Sequence, residues 1–253
     1  MISITIIGSG NVAHHLAKAI CDAPHLDLVQ MAMRNIDNAP NFVDRSKITT
    51  DFSNLKEVAI FLVAVSDDAI EKVLLQIAQP QRLIAHTSGT SDLNICTENY
   101  RKGVFYPLQT FSKLKEIDFK TVPICLEATN ELDYKLLEKV ALDLTHSVFS
   151  ISSQQRKSLH VAAVFVCNFV NHLYAQGEAI CIENNIDFDI LKPLIQETAT
   201  KIKSVSPTAA QTGPAKRHDT ITINNHIQFL SDENQKEIYK LLTQSIINHD
   251  KKL

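Results

Sequence analysis

Ile2-Ser3-Ile4-Thr5-Ile6-Ile7-Gly8-Ser9-Gly10-Asn11-Val12-Ala13 decides the reading of this chain. The first six residues alternate β-branched and small side chains, as a short buried strand does. They run directly into Gly8-Ser9-Gly10-Asn11-Val12-Ala13, a G-x-G-x-x-A turn. His14 to Cys21 then carries Leu16, Ala17 and Ile20 on one helical face. Strand, glycine turn and helix in this order form a dinucleotide-binding fingerprint. Gly8 permits the tight turn, Gly10 lets backbone approach a pyrophosphate, and Ala13 allows close helix–strand packing. The helix start then offers free N–H groups and a positive dipole end to phosphate.

A second strand is expected from Leu26 to Met33. An NAD site usually places an acidic residue about 20 residues past the glycines, to hold the ribose hydroxyls. Here the strand runs out into Arg34-Asn35. A guanidinium suits a 2′-phosphate through its charge and its bidentate fork, so the expected cofactor is NADP(H).

The rest of the first half alternates strand and helix. Val58 to Val65 reads as a central parallel strand, and Asp67-Asp68 as the acidic start of a helix reaching about Gln79. Strands are expected at Leu83 to His86, Val104 to Pro107, Val122 to Leu126 and His146 to Ile151, with a helix from Glu131 to Leu144. From Ser153 to Asn184 there is no proline and helical spacing throughout. A helix of that length spans about 48 Å, too long to flank a sheet. Further helices are expected from Asp187 or Asp189 to Val205, and from Asp232 or Glu233 to His249, around a loop at Ser206 to His218. The expected fold class is α/β: a Rossmann-type doubly wound parallel sheet, residues 1–152, followed by an all-helical C-terminal domain, residues 153–253.

Composition narrows the function. The chain has 253 residues, 45% of them apolar, which suffices for two globular domains. A net charge of −3, with no basic run beyond Lys251-Lys252, gives nucleic-acid binding no electrostatic support. Cys21, Cys96, Cys125, Cys167 and Cys181 lack any C-x-x-C spacing and are odd in number, as expected of reduced thiols in a cytoplasmic protein. No signal peptide is read at the start, and the apolar run Val161 to Cys167 is too short to span a bilayer, so no membrane association is expected. Zinc spacing is missing among the His, Cys and acidic residues, so no metal is expected.

In doubly wound sheets ligands bind beyond the carboxyl ends of the strands. Val65-Ser66-Asp67, His86-Thr87-Ser88-Gly89 and Gln109-Thr110 fall at such ends. Gly8, Ser9, Gly10, Asn11, Val12, Arg34, Val65, Ser66, His86 and Ser88 are the expected cofactor contacts. On the long helix, His160 precedes an apolar run and Asn168, Asn171 and His172 follow it. At 100° per residue His160 and Asn171 differ by about 20°, and His160 and Asn168 by about 80°, so a regular helix turns all three toward one side. Thr212-Gly213-Pro214-Ala215-Lys216-Arg217-His218-Asp219 is a third polar cluster.

The chain resembles a family of uncharacterised bacterial proteins that pair an NADP-oxidoreductase-like Rossmann domain with a helical domain of unknown function. The resemblance rests on Ile7 to Ala13, Ala64 to Asp67, His86 to Gly89, Tyr106 to Phe111, Leu159 to Ala163 with Asn168-Phe169, Thr212-Gly213-Pro214 with Arg217 and Asp219, and His226. Many members are expected to carry Arg-Gly-Asp where this chain has Arg217-His218-Asp219. More remotely the layout is similar to pyrroline-5-carboxylate reductase and to 6-phosphogluconate and 3-hydroxyisobutyrate dehydrogenases. Those resemblances imply a homodimer built from the helical domain. The hydroxyacid dehydrogenases use a Lys and an Asn one helical turn apart. Here Val161 stands four after Lys157 and Val164 four before Asn168, which argues against simple hydroxyacid oxidation.

The expected activity is hydride transfer between NADP(H) and a C=O or C=N group of a small substrate. His160 is the expected general acid or substrate orienter, since histidine titrates near neutrality. Asn168 would hydrogen-bond the reacting heteroatom and Arg217 would clamp a substrate carboxylate. The rival is a non-catalytic NADP(H)-binding sensor or interaction protein.

Overall fold

The computed structural model describes residues 1–79, 81–95 and 100–250; Cys96 and Lys251-Lys252 lie outside the described residues. The chain divides into two compact units, Met1–Phe165 and Val166–Leu253.

The first unit is built on one eight-stranded sheet. Its strands are β1 (Ile2–Ile7), β2 (Leu26–Ala32), β3 (Ile48–Thr49), β4 (Ile60–Val63), β5 (Leu83–His86), β6 (Arg101–Pro107), β7 (Ile124–Ala128) and β8 (Val148–Ser150). They lie in the order β3-β2-β1-β4-β5-β6-β7-β8. This is the doubly wound arrangement, with the chain reversing direction of travel between β1 and β4. All neighbours pair parallel except β6 and β7, which pair antiparallel with Tyr106 opposite Cys125. The sheet is the doubly wound parallel one expected from the sequence, with one antiparallel pair that the sequence does not show. Only the spatial route between Pro107 and Ile124 sets that direction.

Helices α1 (Asn11–Asp22), α2 (Asp67–Leu74) and α3 (Glu131–Leu144) cover the sheet. Ile4, Ile6, Leu16, Ile20, Met31, Ile60 and Leu62 form the core on one side, and Ile7, Phe61, Val63, Ile70, Leu74 and Ile84 the core on the other. Successive residues of β1 and β4 thus go to opposite cores. That explains why β4 is apolar without alternation and why β1 ends in the consecutive apolar pair Ile6-Ile7. The fourth strand is shorter than the run Val58 to Val65 suggests, because Ala64 and Val65 already curve into the turn before α2. Ser66, not Asp67, is the N-cap of that helix, with Asp67 and Asp68 in its first turn.

A helix begins at Ser152, whose hydroxyl accepts from Gln155 N while the Gln155 side chain accepts from Ser152 N, a capping box. It comprises α4 (Ser153–Ala163), a π-helical segment Val164–Phe169, and α5 (Val170–Glu183). By length and composition alone, Ser153–Glu183 is apolar enough to cross a membrane. The π segment, with its i→i+5 bonds, adds residues to one turn. The reckoning of His160 and Asn168 at a constant 100° per residue does not hold across it.

The second unit holds α5, α6 (Lys192–Lys201), the one-turn α7 (Pro207–Ala210), α8 (Thr220–Phe229) and α9 (Glu233–Asp250). Asp187 caps a 3-10 turn, Phe188–Leu191, that leads into α6. In the loop before α8, Gly213 has φ +108° and His218 has φ +55°. Asp219 is the N-cap of α8, accepting from Thr222 N at 3.0 Å and Thr222 Oγ1 at 2.7 Å. These two bonds, then the Arg217 charge, hold its carboxyl below the usual range.

Candidate active site

The glycine turn is built as the fingerprint requires. Gly8 has φ +130°, and a Cβ there would lie 2.1 Å from the Ala64 carbonyl oxygen. No L side chain fits that conformation or that space. Ala13 is fully buried, as the close approach of α1 to the sheet requires. Gly10 is the N-cap of α1 with φ −73°; no side chain caps the helix, and no acidic residue stands in its first turn. A Cβ on Gly10 would meet nothing within 4 Å. The helix start is thus bare, positive and open, which fits the pyrophosphate of a dinucleotide.

Gly8, Ser9, Gly10, Asn11 and Val12 line a cleft of about 890 Å³ in the first unit. Arg34 lines it too, two residues beyond the end of β2, exposed and with no hydrogen bond or ion pair to any described residue. Lys72 of α2 also lines the cleft, a second cation that the sequence reading did not single out. The only signal for it was its position in the last turn of the helix that follows β4. Val65, Ser66, Thr87, Ser88, Gly89 and Gln109 complete the wall, as their strand-end positions predict.

His86 has a different place from the one expected. It does not line the cleft, and its exposure is 0%. Its Nδ1 accepts from Ser88 N at 3.2 Å, so its Nε2 donates to the Asp92 carbonyl at 3.3 Å. Burial, and then the charge of Arg156, lower its pKa to about 4. His86 is a neutral strut that shapes the loop carrying Thr87 to Gly89. Ser88 supports the same loop, its hydroxyl accepting from Thr90 N and Ser91 N at 3.1 and 2.9 Å.

His160 is half-buried and lines the cleft. Its Nδ1 lies 3.0 Å from the Tyr106 hydroxyl, at the end of β6. Tyr106 also lines the cleft. In the sequence Tyr106 is a strand end and the start of a segment that carries the family resemblance, with no site role assigned to it, although aromatic hydroxyls at such ends are well placed to meet a ligand. Helix α4 is fixed at its first turns by Arg156, whose exposure is 0%. Arg156 Nη1 lies 2.5 Å from Glu127 Oε2 on β7, and Nη2 donates to the Ser91 carbonyl and to Ser153 Oγ. Glu127 also accepts from Ser153 N and Oγ at 2.9 and 2.8 Å. Asn168 and Arg217, the other expected catalytic residues, are exposed residues of the second unit. Lys157 is paired with Asp92 at 3.9 Å.

A crystal structure of a "putative NADP oxidoreductase" from Bacteroides fragilis is 38% identical to this chain. The two match over 98% of each chain, with a TM-score of 0.88. The chain belongs to that protein's family. A family model described as a domain of unknown function (DUF2520) matches residues 122–246, from the end of the loop before β7 into α9. No curated protein matches the chain. A reductive aminase from Aspergillus terreus, solved with NADPH and ethyl levulinate, is 12% identical over 100% of this chain and 94% of its own, with a TM-score of 0.75. A pyrroline-5-carboxylate reductase from Coxiella burnetii is 15% identical over 99% and 98%, with a TM-score of 0.59. These two likenesses show a shared fold, as the resemblance to reductases with helical C-terminal domains implies.

Proposed function

We propose that the protein is an NADP(H)-dependent oxidoreductase acting on a C=O or C=N group of a small substrate. One observation carries this reading. A single cleft joins the bare start of α1, the cations Arg34 and Lys72, and the Tyr106–His160 pair. The family supports it, since the Bacteroides fragilis relative is described as a "putative NADP oxidoreductase".

In this reading the N–H groups from Gly10 to Val12 hold the pyrophosphate. Arg34 holds the 2′-phosphate with help from Lys72. Val65, Ser66 and Ser88 flank the remainder of the cofactor, and His86 acts only by holding the Ser88 loop. NADP(H), when bound, supplies or accepts the hydride. His160 donates a proton or an orienting hydrogen bond to the substrate heteroatom, within hydrogen-bond reach.

The test has two stages. Calorimetry on the full chain measures dissociation constants for NADPH and NADH. A panel of carbonyl and imine compounds is then screened for oxidation of NADPH, with His160→Ala beside the wild type. NADPH binding with turnover that His160→Ala abolishes supports the reading. A chain that binds neither nucleotide refutes it, and one that binds NADPH without turning over any compound is a sensor. Asn168→Ala and Arg217→Ala in the same screen test the roles expected of those residues.

We further propose that the active form is a homodimer. Ile182, Ile190, Leu194, Ile202, Ile221 and Leu241 of the second unit are each more than half exposed. Water-soluble monomers rarely leave that much apolar surface uncovered. Light scattering without detergent should give twice the 28.3 kDa chain mass. A monomer, or a chain soluble only in detergent, would overturn this. Cys21, Cys125, Cys167 and Cys181 are free thiols, in keeping with a cytoplasmic setting.

A further inference from the structure

His160 has two ring nitrogens, and only one can serve the cleft. A Cβ on Gly89 would lie 2.5 Å from His160 Nδ1, 2.9 Å from its Cγ and 3.0 Å from Tyr106 Cζ. The Nδ1–Cγ edge of the imidazole is therefore packed against the Gly89 backbone, in a space that only glycine leaves open. The same edge meets the Tyr106 hydroxyl at 3.0 Å. Among the described residues Nε2 has no hydrogen-bond partner, and the ring lines the cleft. A phenol O–H is a better donor than its oxygen is an acceptor. In a neutral imidazole the nitrogen that accepts leaves the proton on the other.

We propose that Tyr106 is the positioning partner of His160: its hydroxyl donates to Nδ1 and keeps the ring proton on Nε2, the nitrogen that serves the substrate. Gly89 makes the pairing possible by giving up its side chain, and the buried Arg156–Glu127 pair sets α4 so that His160, one turn further on, reaches it. This rests on the oxidoreductase reading for its purpose, but the tautomer is measurable without a substrate. The logic matches that of other catalytic histidines, whose useful nitrogen is chosen by the bond that the other one makes.

The experiment is nitrogen NMR on the full chain with labelled histidine, at a pH where the ring is neutral, with His160→Gln assigning the signal. In the wild type Nδ1 should show the shift of an acceptor and Nε2 that of a protonated nitrogen. On saturation with NADP+, Nε2 should move more than Nδ1. In Tyr106→Phe the ratio of Nε2–H to Nδ1–H forms should fall about fivefold, as expected for one neutral hydrogen bond, while NADPH affinity stays within about twofold. Gly89→Ala, which keeps the hydroxyl but crowds the ring, should lower the ratio as well. A wild type protonated on Nδ1 would overturn the proposal without recourse to any variant. So would an Nε2 signal indifferent to bound NADP+, or an unchanged ratio in folded Tyr106→Phe. A wild type that binds neither nucleotide fails the oxidoreductase reading instead, and the free-protein tautomer then reports on the Tyr106–His160 bond alone.

Discussion

Arg156 and Glu127 form a buried ion pair at the root of α4, with side-chain exposures of 0% and 17%. Glu127 comes from β7 and Arg156 from the first turns of the helix, so the pair ties the start of α4 to the sheet. The carboxylate also faces the helix start and accepts from Ser153 N, a favourable place for negative charge. Removing one partner leaves the other charge buried and uncompensated, which typically costs about 3–5 kcal/mol. Glu127→Ala should lose about that much in urea denaturation. Glu127→Leu with Arg156→Met should recover most of it while displacing His160. Equal losses in the single and double variants would show that packing, not charge, holds this joint.

The two glycines of the turn should behave oppositely. Gly8→Ala places a methyl 2.1 Å from the Ala64 carbonyl oxygen at φ +130°, and should cost about 3 kcal/mol or more. Gly10→Ala meets nothing within 4 Å at φ −73°. It should keep stability within about 1 kcal/mol and lower NADPH affinity at least about tenfold, because its methyl enters the space where backbone meets pyrophosphate. Thermal melts and calorimetry on both variants check this. A destabilised Gly10→Ala, or one with wild-type affinity, would contradict it.

Arg34 should set the preference between nucleotides. One charge-assisted Arg–phosphate contact is worth about 1.5–3 kcal/mol, so NADPH should bind roughly ten- to a hundredfold more tightly than NADH. Arg34→Ala should bring the two dissociation constants close together, and Lys72→Ala should narrow the gap by less. Arg34 is exposed, so added salt should weaken the preference.

His86 makes stability depend on pH. Its folded pKa is about 4 against 6.5 for the free side chain. Between those values the unfolded chain binds more protons than the folded one, so stability must fall as pH drops through that window. The loss should approach about 3 kcal/mol near its lower end. Urea denaturation at stepped pH should show this slope in the wild type and a shallower one in His86→Gln.

His218 stands where the family resemblance places glycine, and the backbone says why glycine suits. Its φ is +55°, a conformation that costs an L residue about 1 kcal/mol or more. His218→Gly should therefore raise the unfolding free energy by about 1 kcal/mol. A destabilised variant would mean that the imidazole makes contacts worth more than the strain.

The local pattern of the chain was enough for the elements whose cause is local. The β1–glycine–α1 turn, β5 at Leu83–His86 and α3 at Glu131–Leu144 all lie where periodicity and capping residues put them. That Gly8, Gly10 and Arg34 share one cleft wall was legible for the same reason, since a strand end and the helix start that follows it are close in sequence. The pairing of Tyr106 with His160 was not, because it joins residues 54 apart in the chain. Nor was the joint of Arg156 with Glu127, 29 apart. His160 alone reads as a candidate proton donor, but Tyr106, Arg156 and Glu127 read as ordinary strand-end, helix or surface residues. His86 looked like a cofactor ligand from its position at the end of β5; only the fold shows that both its nitrogens are taken by the loop it carries. The antiparallel β7 and the π segment at Val164–Phe169 belong to the same class. Periodicity records which residues seek burial, but strand direction, helix register and hydrogen-bond partners are fixed when distant segments close on one another.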